Sequence, residues 1–204
     1  MTENSSVDVL VNSITAIRSV IDNQAHLPAD WLTWFQSPRV ILTGVGKSFD
    51  VARLGSSVLQ SVGLATQAIH ATELLHGGFG VFYPGSSSTL VFISHSGRTR
   101  EVIDVKAHIN NLRKHGRVIR TVAITAALSD NLLAAQAQHV LHYTCDVDGS
   151  THGTIPTVST TAQLAWLDQA LGASGTDPVT AVADPGRSLS RTMRTSPWVT
   201  ARGT

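Results

Sequence analysis

The chain has 204 residues, of which 42% are hydrophobic and 14% charged, and its formal net charge is +1. That length supports one well-buried core and excludes two large domains. Scattered basic residues and 5% aromatics leave no footprint for nucleic acid, and no apolar run is long enough to span a bilayer. A single cysteine, Cys145, excludes a disulfide within the chain and reads as a small half-buried side chain. The N-terminus lacks the basic start and apolar stretch of a signal peptide, so a cytoplasmic protein is expected.

In chain order, Val7, Leu10, Val11, Ile14, Ile17, Val20 and Ile21 recur at helical spacing. They predict an amphipathic helix that covers the domain or pairs with a second copy. Trp31 and Trp34 follow in a short helix opened by Pro28. Val40-Ile41-Leu42 is a strand entering Gly44-Val45-Gly46. Val51, Leu54, Val58, Leu59 and Val62 then form a helical stripe closed by Gly63. A brief strand is expected from Gln67 to His70. Leu90 to Ile93, apolar at every position, is a central strand covered on both faces. A helix carrying Val102, Ile103, Ile109 and Leu112 ends at Gly116. Thr121 to Thr125 is a strand, residues 130–138 a short helix, Val140 to Tyr143 a fifth strand, and Ser159 to Leu171 a final helix. Alternation at these lengths predicts α/β architecture, a parallel sheet with helices on both sides. Residues 1–36 form an N-terminal helical segment on the core, 37–173 the main domain, and 174–204 an irregular tail.

In such sheets ligands bind beyond the carboxyl ends of the strands, and two polar loops fall there. The first is Gly44-Val45-Gly46-Lys47-Ser48. Its glycines let backbone approach a ligand, and the amides opening the next helix favour a phosphate. It lacks the spacer of a Walker loop, so nucleotide hydrolysis is not expected. A tight turn with Ser48 capping the helix is the plainer alternative. The second loop, Ser94-His95-Ser96-Gly97-Arg98-Thr99, brings three hydroxyls to the start of a helix with Glu101 in its first turn. Two such loops at parallel strand ends predict a paired anion site. Between them lies His70-Ala71-Thr72-Glu73-Leu74-Leu75-His76-Gly77, whose His70, Glu73 and His76 are spaced for one helical face. No further ligand cluster supports a metal there. His108, His115 and His139 are expected to be surface or packing residues.

The set Gly44–Ser48, His70–Gly77, Ser94–Glu101 and Pro156-Thr157-Val158-Ser159-Thr160-Thr161 resembles the sugar isomerase (SIS) domain family, in particular its D-arabinose 5-phosphate isomerases. The likeness runs through the main domain, with a fainter echo at Asp184-Pro185-Gly186-Arg187. It implies a flavodoxin-like three-layer αβα sandwich with a five-stranded parallel sheet. It also implies a homotetramer with sites at subunit contacts. Carried over residue by residue, Ser48, Ser94, Ser96 and Thr99 would bind the phosphate, Gly46 and His76 would contact the substrate, and Ser159 and Thr160 would line the same pocket. Lys47 would face the sugar oxygens, and His70 and Glu101 match active-site groups. A family glutamate aligns with the shorter Asp148, and a family histidine with Asp184.

The implied reaction interconverts D-ribulose 5-phosphate and D-arabinose 5-phosphate through an enediol, with no cofactor. It needs a base, and Glu101 or a neighbouring histidine serves that role equally well on sequence grounds. Two alternatives stay open. One is a 6-phospho-3-hexuloisomerase. The other, motivated by Asp148 and Asp184, is a sugar-phosphate-binding protein without catalysis. Many family members continue into a tandem of cystathionine-β-synthase-type modules, and this chain is expected to act without one.

Overall fold

In a computed structural model, the described residues are 31–35, 37–61, 64–126, 129–143 and 158–172, with Val11, Ile14, Thr15, Ile17, Arg18 and Asp22. Asp148, Asp184, Cys145 and the expected irregular tail lie outside them. Among the described residues, no helix is long and apolar enough to cross a membrane.

Runs of apolar and β-branched residues build the sheet. Its strands are β1 (Val40–Thr43), β2 (Thr66–Ala68), β3 (Ser87–Ile93), β4 (Val118–Ala126) and β5 (His139–Tyr143). All neighbours pair in parallel, in the order β2-β1-β3-β4-β5. The order reverses between β1 and β3, and a crevice for ligands opens at such a switch point.

Side chains alternate between two cores. Val40, Leu42, Val91, Ile93, Val122 and Ile124 face helices α1 (Lys47–Ser61) and α5 (Val158–Gly172). Ile41, Leu90, Phe92 and Ala123 face α2 (Ala71–Leu75), α3 (Arg100–Lys114) and α4 (Leu132–Gln136). The result is the expected α/β sandwich of three layers. Val40 to Leu42 and Leu90 to Ile93 are completely buried, each side chain contributing roughly 2 kcal/mol of apolar burial.

Helix boundaries fall close to expectation, with two informative differences. On α1 the buried face is Val51, Ala52, Gly55, Ser56 and Leu59, while Leu54 is 48% exposed. Small residues are buried because α5 crosses closely: a Cβ at Gly55 would sit 2.6 Å from Leu167 Cδ1. The second strand ends at Ala68 instead of His70: Ile69 still donates to the Leu42 carbonyl at 3.0 Å, and His70 already caps the next helix. Trp31–Phe35 is a 3-10 turn, and Trp34 and Phe35 are buried. Trp34 stacks on His139 and Phe79 on His108, each with centroids 4.1 Å apart, which makes both histidines packing residues.

Candidate active site

Loop 1, residues 44–48, leaves β1, and loop 2, residues 94–99, leaves the adjacent β3 at the same edge. Loop 1 packs against the end of β3: a Cβ at Gly44 would lie 2.9 Å from the Ile93 carbonyl oxygen and 3.0 Å from Ser48 backbone. Only glycine lets the first turn approach the end of β3 this closely. The segment after β2 joins them, since the Ala71 amide donates to the Gly44 carbonyl at 3.2 Å. Three strand ends therefore deliver loop 1, loop 2 and His70 to one place.

Within loop 1, Gly46 turns with φ 58°, and Lys47 opens α1 with an exposed side chain. The Ser48 hydroxyl is not a cap on its own helix. It donates to Gln163 Oε1 on α5 at 3.2 Å. In loop 2, Ser94 is buried and its hydroxyl lies 3.2 Å from that of Thr99. Thr99 is the cap residue of α3 but makes no side-chain capping bond. Ser96 accepts from the Arg98 amide at 3.2 Å. Ordinary capping thus explains neither Ser48 nor Thr99. Two 15-residue helices, α1 and α3, begin at these loops, and their first-turn amides carry the partial positive charge of a helix start.

The cations nearby differ in commitment. Arg98 is paired with Asp130, and Arg100 with Asp104 at 2.9 Å, both at exposed positions. Lys47 is exposed. Glu101, half-buried, occupies the first turn of α3.

His70 departs from the expected helical face. Its backbone is extended (φ −61°, ψ 143°) and it caps α2 from outside, because its ring nitrogen Nδ1 accepts from the Thr72 amide at 3.3 Å. The same nitrogen lies 2.7 Å from the Thr72 hydroxyl, and the amide bond favours the tautomer with the proton on Nε2. The ring meets Phe49 edge-on at 4.9 Å. Glu73 and His76 are exposed, with His76 closing the helix. Among the described residues, no three His, Cys, Asp or Glu side chains gather to hold a metal ion.

Ser159 and Thr160 lie in the first turn of α5, with Ser159 buried. Gln163, one turn beyond Ser159, touches loop 1, so this helical face reaches the same region. Sequence reasoning missed Gln163, Tyr143, His95 and Asn131. Asn131 fills the space beside Gly97 (φ 62°), caps α4 through the Ala134 amide at 2.9 Å, and donates to Thr125 at 2.6 Å. Its position just before a helix carried a capping signal, though nothing pointed from it to loop 2. An open cavity of about 460 Å³ lies at the opposite edge of the sheet, lined by Ser87, Ser88, Val118 and Arg120 among others. It is far from every loop described here, and the carboxyl edge is where such sheets bind ligands.

The chain is 35% identical over 133 residues to Arabinose 5-phosphate isomerase KpsF of Escherichia coli, covering 63% of this chain and 38% of that protein. It therefore spans little more than a third of the length of the curated relatives it matches. Its fold is similar to that of an E. coli CFT073 protein solved in complex with arabinose 5-phosphate (TM-score 0.67, 22% identity, 90% of this chain and 95% of that one). It is also similar to a Methanococcus jannaschii hypothetical protein whose structure infers a molecular function of 3-hexulose-6-phosphate isomerase (TM-score 0.57, 17% identity, 87% and 92%). At such identities these structures speak for the fold alone. The model of the SIS domain matches residues 34–173, which include all five strands, both loops and α5, and the chain belongs to that family.

Proposed function

We propose that the chain is an aldose–ketose isomerase of a sugar phosphate, with D-ribulose 5-phosphate and D-arabinose 5-phosphate as its pair. The observation that carries this reading is that loop 1 and loop 2 leave the adjacent parallel strands β1 and β3 at the same end, the switch point, where Ser48 and Thr99 are not used as caps. Hydroxyls and helix-start amides can surround a phosphate dianion without fixed positive charge. The 35% identity to an arabinose 5-phosphate isomerase supports the choice of sugar.

In this mechanism Ser48, Ser94, Ser96 and Thr99, with the Gly46 backbone, hold the phosphate. Lys47, beside them and exposed, extends its ammonium toward the sugar carbons, where it steadies the charge of an enediolate. His70 carries its proton on Nε2 when neutral, so that nitrogen donates to a sugar oxygen and does not abstract a proton. We take Glu101, in the first turn of α3, as the base. His76, Ser159 and Thr160 complete the wall, and Asp148 and Asp184, outside the described residues, are assigned to ring opening and proton shuttling. The chemistry proposed needs no cofactor, and a tetramer with sites at its contacts is the proposed assembly.

Proton NMR of the protein with ribulose 5-phosphate tests the reading. Aldose anomeric signals should grow in, and arabinose 5-phosphate should be identified as product. Turnover of 3-hexulose 6-phosphate instead would move the substrate to a hexulose. Thermal stabilisation by sugar phosphates without turnover would make the chain a binding protein.

A further inference from the structure

Four side chains form a hydrogen-bonded line beneath the two loops. Ser48 donates to Gln163 Oε1 at 3.2 Å, Gln163 Nε2 donates to the Tyr143 oxygen at 3.0 Å, and that oxygen lies 3.0 Å from His95 Nδ1. Gln163 is 1% exposed and Tyr143 fully buried. A buried amide or phenol is costly unless its polar atoms find partners, and packing alone would be served by methionine and phenylalanine. Here the partners are loop residues: Ser48 from loop 1, and His95 between Ser94 and Ser96 in loop 2. The line starts on α1, passes through α5 and the end of β5, and finishes in loop 2.

We propose that Gln163 and Tyr143 are positioning residues of this site, tying the two loops into one unit and fixing His95 as its Nε2–H tautomer. Only the identity of the ligand rests on the sugar-phosphate reading above. The polarity follows from the donors. Ser48 occupies the amide oxygen, so Gln163 presents its NH₂ to Tyr143. The phenol oxygen accepts there, and in the proposed line its own proton goes to His95 Nδ1. A neutral imidazole that accepts at Nδ1 holds its proton at Nε2. His95 then offers loop 2 a donor, which suits phosphate or sugar oxygens, and not a base. Rotating the Gln163 amide by half a turn would reverse every bond and place the proton on Nδ1, so the tautomer reports the direction of the whole line.

The test is long-range ¹H–¹⁵N NMR of the full chain labelled at histidine, above the pH at which imidazoles are neutral, with His95 assigned from a His95→Gln variant. The expected wild-type spectrum shows an Nε2–H tautomer at His95, and Tyr143→Phe should turn it into a mixture. Gln163→Met should keep the tautomer but weaken affinity for ribulose 5-phosphate by about three- to tenfold, the size of one lost hydrogen bond. An Nδ1–H tautomer in the wild type, or unchanged affinity in Gln163→Met, overturns the proposal. If no sugar phosphate binds the wild type, the functional reading fails, and the tautomer still decides the line. If Tyr143→Phe does not fold, the wild-type spectrum and Gln163→Met remain decisive.

Discussion

Loop 1 and loop 2 sit side by side, yet their side chains are held to different degrees. Loop 2 is braced from within and from behind: Ser94 meets Thr99, Ser96 accepts from the Arg98 amide, Gly97 abuts Asn131, and His95 meets Tyr143. Carbonyls are engaged in both loops, Gly97 accepting from the Leu133 amide and His95 from Ala126, as Gly44 does from Ala71 and Gly46 from Phe49, so the difference lies in the side chains. Loop 1 has an exposed Gly46 with open space around its Cα and an exposed Lys47, and its side-chain tie described above is Ser48 to Gln163. Pre-organised donors bind an anion best when fixed, because no ordering remains to be done on binding. A group that must meet a changing carbon skeleton works from a less crowded position. The pair therefore combines a rigid cradle with a reaching cation.

Substitutions probe that division of labour. The largest effect is expected for Lys47→Ala, which should abolish detectable turnover, more than roughly 100-fold in kcat, while melting temperature and sugar-phosphate affinity stay near wild type. Unchanged kcat would take Lys47 out of the chemistry. Next comes Gly97→Ala. It forces a side chain into left-handed backbone and into the Asn131 carboxamide, and should cost about 2–4 kcal/mol in denaturant unfolding. Gly46→Ala shares the left-handed backbone but meets nothing within 4 Å, so about 1 kcal/mol is expected. Equal losses at the two glycines would erase the contrast between a braced and an open loop.

Ser96→Ala should weaken sugar-phosphate binding by about 1 kcal/mol or more, read by calorimetry, with little effect on unphosphorylated sugar. The smallest effect concerns the helix that loop 2 opens. Lys106 on α3 is 1% exposed, bonds Asn110 at 2.7 Å, and burial, helped by Arg113, brings its pKa down to about 8. Between pH 8 and 10.5 the unfolded chain holds a proton that the folded chain has released, so this residue makes stability rise with pH across that window. Lys106→Met should stabilise the protein at pH 7 by about 1 kcal/mol. The gain should fade as pH climbs toward 10.5, which melting curves at several pH values would show.

Much of this contrast was legible in the sequence. Consecutive apolar residues at Leu90 to Ile93 announced a strand buried on both faces, and glycine and hydroxyl clusters marked where two strands ended. The bracing was not legible. Gln163 reads as one polar residue among many on a helix, and Tyr143 as the apolar end of a strand, because their partners lie in other elements. Leu54 was placed inside by hydropathy, whereas the observed face of α1 is set by Gly55 and Ser56 fitting beneath Leu167. His70 looked helical by spacing, but its ring is used to cap α2, which requires extended backbone.

The bond from Ser48 to Gln163 joins residues 115 positions apart. Closing so long a loop is entropically slow, and nearby pairings such as β1 with β3 form first. During synthesis both turns leave the ribosome well before α5 does. A nascent chain halted ahead of residue 158 can thus possess its central strands and still lack the strut that steadies Ser48, so ligand recognition matures only when α5 docks.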